Sequence, residues 1–186
     1  AKANARANVD MVHPYIERGA RLVGLEPSCI LTFSDDYVDL LGGGDVQADA
    51  VVRSTMLVEQ FVQYAVEEEG AVLKLDGWNL SEKILLHGHC HQKALVGTAP
   101  SLAALRLVPA LQVEEVDAGC CGMAGAFGYE KEHYDISMKV GEERLFKAVR
   151  SAGEGAVIAA VGTSCRHQIA DATGKRARHW AEILVE

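Results

Sequence analysis

The residues best placed to do chemistry lie in Gly119-Cys120-Cys121-Gly122-Met123-Ala124-Gly125-Ala126-Phe127-Gly128, a vicinal cysteine pair in a loop with glycine at every third position. Adjacent cysteines make poor disulfide partners, because closing the bond distorts the peptide between them. Glycines remove the side chains that would hold the backbone away from a bulky ligand, and they permit positive φ. Such a loop is suited to wrapping a group held through its thiols.

Three further cysteines share one setting. Cys90 follows Ile84-Leu85-Leu86 and His87-Gly88-His89, Cys165 follows the run 156–161 and Gly162-Thr163-Ser164, and Cys29 follows Leu22-Val23-Gly24-Leu25 and Glu26-Pro27-Ser28. Val113 to Val116 leads into the vicinal pair. Every cysteine therefore stands just past an apolar run of strand length. With no secretory leader pattern, such thiols point to metal binding or catalysis rather than to a disulfide scaffold. The four thiols Cys90, Cys120, Cys121 and Cys165 match the donor count of an iron–sulfur cluster or of tetrahedral zinc. No tight Cys-x-x-Cys pair is present, so the site must be assembled by tertiary structure. A structural zinc staple, and metal-free thiol–disulfide chemistry at Cys120 and Cys121, stand as alternatives. Around the thiols, His89 and His91 flank Cys90 as hydrogen-bond donors to a sulfur or a carboxylate, with metal ligation as the alternative. Arg166 and His167 open the helix after Cys165 and bring positive charge to an anionic group, as Lys93 does after Cys90. Gly122 and Gly125 let the backbone close in.

The elements that must position these residues alternate. Helices are expected at 3–18, about 30–41, about 52–69, between 91 and 108 with a break near Gly97 and Pro100, and at 129–150 and 164–173. Strands are expected at 21–25, 84–87, 111–116 and 156–161, with a short terminal segment at 177–185. This order predicts an α/β fold, a mostly parallel sheet with helices on both faces and the cysteines at the carboxyl ends of its strands. Ligands of open parallel sheets gather there, so the four thiols are expected in one crevice.

Composition narrows the function classes. The 186 residues are 49% hydrophobic, enough for one sizeable core. The formal charge of −8, from 18 basic and 26 acidic side chains, repels a phosphate backbone and argues against a nucleic-acid partner. The longest apolar run, near 156–161, is far too short to span a bilayer. The expected location is cytoplasmic, peripheral to a membrane only through a partner. The chain opens Ala1-Lys2-Ala3, which points to a piece of something longer, and no Gly-x-Gly-x-x-Gly dinucleotide fingerprint follows a strand.

Cys-Cys-Gly at 120–122, preceded by His89-Cys90-His91-Gln92-Lys93-Ala94-Leu95 and followed by Gly162-Thr163-Ser164-Cys165-Arg166-His167-Gln168, resembles the cysteine-rich CCG domain. That family includes one of the subunits of heterodisulfide reductase and the iron–sulfur subunit of glycolate oxidase. The phrases around Cys90, Cys121 and Cys165 are most similar to the C-terminal part of FAD-linked D-2-hydroxyacid dehydrogenases. The resemblance runs from about residue 20 to the end. It implies a 4Fe–4S-type cluster on Cys90, Cys120, Cys121 and Cys165, fed by a flavin domain oxidising a 2-hydroxy acid and drained by a downstream electron acceptor. FAD would sit only on that partner domain, and zinc could stand in the cluster's place. Heterodisulfide reductase ends its motif with Cys-x-x-Cys, whereas Gln168 stands there here, so a four-ligand site is expected. The family often carries the motif twice. The resemblance therefore implies that residues 1–45 end an upstream repeat and that Cys29 serves that repeat's cluster.

Overall fold

The computed structural model describes residues 1–73, 75, 83–108 and 111–185. The first half builds a small lobe from α1 (Lys2–Ile16), β1 (Leu22–Gly24), α2 (Pro27–Ile30), a 3-10 turn (Leu31–Phe33), α3 (Asp36–Leu41), α4 (Val46–Ser54) and β2 (Thr55–Leu57), and ends in α5 (Val58–Glu67), whose Val58 and Val62 pack on the core of the second half. Helices α1, α3 and α4 bury Ala5, Val9, Tyr37, Ala48 and Val51 against one another. Asp45 starts α4, its carboxylate accepting the Ala48 N–H at 2.9 Å. Strands β1 and β2 pair in parallel, Leu22 opposite Thr55 and Gly24 opposite Leu57.

The second half continues with β3 (Lys83–His87), α6 (Cys90–Leu95), α7 (Ala99–Arg106), β4 (Gln112–Glu115), α8 (Tyr134–Glu143), α9 (Leu145–Ser151), β5 (Val157–Ala160), α10 (Thr163–Thr173), β6 (Ala177–Arg178) and α11 (Trp180–Ile183). Its sheet runs β4-β3-β5-β6, parallel at every pairing. Alternation along β3 and β5 sends residues to opposite faces. Leu85, Ile158 and Ala160 pack with Leu145, Phe146, Val149 and Ile169. Ile84, Leu86 and Ala159 pack with Ala104, Leu105, Trp180 and Ile183 on the other face. Both faces are thus covered by helices, as the expected α/β class requires.

Three expected helices are interrupted. The segment 52–69 contains β2, because Thr55, Met56 and Leu57 extend to pair with β1. The segment 30–41 is broken by the 3-10 turn and by Asp35, whose φ of −116° and ψ of −81° are not helical. The helix expected over 129–150 begins only at Tyr134 and leaves helical angles at Arg144 (φ −138°, ψ −50°); beyond the break Leu145, Phe146 and Val149 are buried in the core. The terminal segment holds β6 and α11. No helix of the described residues is long and apolar enough to cross a membrane.

Candidate metal centre

Cys90, the Cys120-Cys121 pair and Cys165 follow the carboxyl ends of β3, β4 and β5, three neighbouring strands of one parallel sheet. Topology alone therefore brings their turns together. The thiols meet in sequence: Cys90 with Cys120, Cys120 with Cys121, Cys121 with Cys165. Cys121 and Cys165 are buried, Cys120 is half-buried and Cys90 is exposed. Among the described residues, no group of three or more His, Cys, Asp or Glu side chains stands round a single point as a ready site for one metal ion.

The first turn is fixed by a capping network. His89 caps α6, its Nδ1 accepting the His91 N–H at 3.2 Å, while the His89 N–H donates to Gln92 Oε1 at 3.3 Å. Gln92 is itself buried and donates to Glu59 Oε1 at 2.8 Å and to Ser101 Oγ at 2.7 Å. Ser101 Oγ donates to Glu59 at 2.8 Å, and Trp180 Nε1 does so at 3.4 Å. Burial pushes the Glu59 carboxyl up, against these donors.

The second turn is held by Lys93, whose Nζ donates to the carbonyls of Ala118 and, at 2.6 Å, Gly119. Lys93 thereby ties α6 to the cysteine loop. At Gly122 (φ +96°) a Cβ would stand 2.0 Å from the Ser137 carbonyl oxygen, so this glycine lets the loop pass under α8, a packing role beside the ligand approach expected of it. Its N–H donates to Cys120 Sγ at 3.3 Å. Gly125 (φ +67°) is exposed, and no atom of the described residues lies within 4 Å of a Cβ position there. Ala124 before it also takes positive φ, +42°.

The third turn depends on Gly162. A Cβ there would lie 2.3 Å from His89 Cδ2 and 3.2 Å from Cys165 Sγ, so the missing side chain admits the His89 ring beside Cys165. Arg166 folds back onto its own strand end, donating to Ala160 and Val161 carbonyls at 2.9 and 2.7 Å.

The thiols alternate in acidity. Contact with Cys120, then burial, pushes Cys90 up. Cys120 is held well below the usual thiol range, first by Cys121 and then by Cys90, with the Gly122 N–H and His87 assisting against burial. Cys121 is pushed up by Cys120 and Cys165, and by burial. Cys165 is drawn down by Cys121, with His87 and His89 assisting against burial. His87, the last residue of β3, is 1% exposed and stands beside Cys165.

A cavity of about 410 Å³ opens beside the thiols, lined by Glu26, Cys29, His89, Cys90, Cys121 and Tyr129 among others. Cys29, expected to stand apart, lies on this wall. Glu26 clips the turn of Cys29 to the start of α10: Oε2 accepts the Thr163 N–H at 2.7 Å and Thr163 Oγ1–H at 2.8 Å. Burial opposes ionisation of Glu26, but the Thr163 and Ser28 donors outweigh it and hold its carboxyl below the usual range. Other expected neighbours are engaged by protein partners. His91 Nε2 lies 3.3 Å from Asp35 Oδ2, and His167 Nδ1 lies 2.8 Å from the Tyr129 hydroxyl. Gln168 is buried, donating to Ser137 Oγ at 2.7 Å. The sequence reading assigned no role to Glu26, Glu59, His87 or Gly162. Only His87 carried a signal, as a polar residue ending an apolar strand.

Three relatives align along nearly the whole chain. One of the subunits of anaerobic glycerol-3-phosphate dehydrogenase from Escherichia coli is 27% identical over 187 residues, 100% of this chain and 45% of that relative. D-2-hydroxyglutarate dehydrogenase from the same organism is 27% identical over 98% of the chain and 17% of its own length. The glycolate oxidase iron-sulfur subunit, also from Escherichia coli, is 28% identical over 98% of the chain and 44% of its own length. The chain thus spans less than half the length of these curated relatives. No family model matches it, and no solved structure matches it significantly. The chain is similar throughout to parts of dehydrogenases and an oxidase, one of them an iron–sulfur subunit.

Proposed function

We propose that this chain is an iron–sulfur electron-transfer module of an oxidoreductase, with Cys90, Cys120, Cys121 and Cys165 holding a 4Fe–4S-type cluster. The observation that carries the reading is the meeting of these four thiols past three parallel strands. The donor set suits the group. Four soft thiols match its ligand count, and the buried His87 ring beside Cys165 would face an anionic, sulfur-rich group. When bound, such a cluster accepts and passes on single electrons.

The chain's own residues set the conditions. Burial of Cys121 and Cys165 excludes water from one side, while the Gly122 N–H donates to Cys120 Sγ and stabilises negative charge on that sulfur. Lys93 and Arg166 fix the backbone around the thiols. Electrons would come from a flavin on a partner domain or subunit that oxidises a 2-hydroxy acid, and would leave to a further acceptor. The names of the similar dehydrogenases and oxidase support this direction.

Anaerobic purification with iron, sulfide and zinc analysis tests the reading. Iron and acid-labile sulfide are expected in comparable amounts, and Cys121→Ser should remove most of both. Zinc without sulfide would replace the reading with a structural zinc site, and neither metal would leave thiol–disulfide chemistry.

A further inference from the structure

The cavity beside the four thiols has walls from both lobes. Cys90 and Cys121 line it from the four-stranded sheet, and Cys29 lines it from the turn after β1. The turn is not free to swing away. Pro27 starts α2 and is buried, Glu26 is clipped to Thr163, and His91 of α6 reaches Asp35 just beyond α2. Cys29 is thereby held between the helix starts that carry Cys90 and Cys165, exposed toward the cavity and free of any disulfide. A volume of about 410 Å³ lies within the range of small-molecule pockets.

We infer that Cys29 is a fifth thiol of this centre, presented by the smaller lobe to the same group that Cys90 and Cys121 hold, and not the ligand of a separate cluster. The inference rests on the cluster reading given above. On loading, the Cys29 thiol would give its proton to water as its sulfur bonds to iron, and nothing is oxidised or reduced in that step.

Thiol footprinting of the purified chain separates the two claims. The chain is reconstituted anaerobically with ferrous iron and sulfide, pulsed with iodoacetamide, and mapped by peptide mass spectrometry beside the iron-free chain. Cys29 and Cys120 are the reporters, Cys29 exposed and Cys120 half-buried and held below the usual thiol range. Both should be alkylated at least about tenfold more slowly after loading, since a metal-bound thiolate is no longer free to attack. If Cys120 is slowed while Cys29 reacts as before, the fifth-thiol inference falls and the four-thiol centre stands. If Cys120 stays reactive, the cluster reading itself falls and takes the inference with it. Ligation is distinguished from shielding by Cys29→Ser. This exposed substitution should leave circular dichroism unchanged but alter the Mössbauer or electron paramagnetic resonance spectrum of the loaded chain. An unaltered iron spectrum in that variant overturns the inference.

Discussion

Single atoms decide the geometry at Gly162. Its absent Cβ leaves the space that the His89 ring fills beside Cys165, so Gly162→Ala should push that ring or the first turn of α10 outward. A destabilisation of about 1–3 kcal/mol is expected from overpacking of this kind, measured by urea unfolding of the metal-free chain. On the proposed function, iron retention should fall together with stability, because the displaced groups are the cap of α6 and a thiol of the proposed centre. Unchanged stability would mean that the turn relaxes freely. The alternating acidities of the four thiols belong to this scale too. Side chains in contact share protons unequally, and each sulfur's tendency is set chiefly by its neighbour in the row.

At the scale of elements, α6 is placed from below by a buried carboxylate. Glu59 of α5 receives Gln92 of α6, Ser101 of α7 and Trp180 of α11, so one side chain joins four helices. Glu59→Gln would replace one acceptor oxygen by an amide donor facing other donors. A loss of about 1–3 kcal/mol is expected, with hydrogen exchange fastest in α6. Because burial raises this carboxyl above its ordinary value of 4.5, its contribution is fullest below that value. It declines as pH rises through the raised folded value, a slope that the glutamine variant should lack. The elements themselves were unevenly legible. Cys90, Cys120, Cys121 and Cys165 could be placed from sequence because each ends a strand-length apolar run, and parallel strands gather their carboxyl ends. β2 could not, because Thr55, Met56 and Leu57 lie in a stretch whose apolar residues Leu57, Val58, Phe61, Val62 and Ala65 repeat with helical spacing. Three residues become a strand only because β1 lies alongside. Glu59 was equally silent, since its partners are up to 121 residues away.

At the scale of the molecule, two lobes meet across the cavity, and the Glu26 clip to Thr163 is one of their ties. The folded carboxyl titrates below its ordinary value of 4.5. The tie is therefore complete above that pH and is lost as pH falls through the lowered folded value, the opposite slope to Glu59. Glu26→Gln should remove this acid limb of the stability curve at a cost of about 0.5–1 kcal/mol near neutrality, a modest figure because the group is half exposed. Faster exchange of the Thr163 amide, with the core of the four-stranded sheet unaffected, would report the loosened seam. An acid limb persisting in the variant would assign that limb to other carboxylates.

The same clip dictates an order of events during synthesis. Glu26 and Thr163 are 137 residues apart in the chain, and Cys165 is made later still. The smaller lobe, with β1 paired to β2 by residue 57, can settle on the ribosome through contacts close in sequence. The seam waits for the start of α10 to emerge. Throughout that interval Cys29 and Cys90 are exposed without their later companions, and a nascent chain stalled before Thr163 would present reactive thiols with no finished pocket to receive a cofactor. Completion of the four-thiol cluster of side chains therefore waits for the translation of α10.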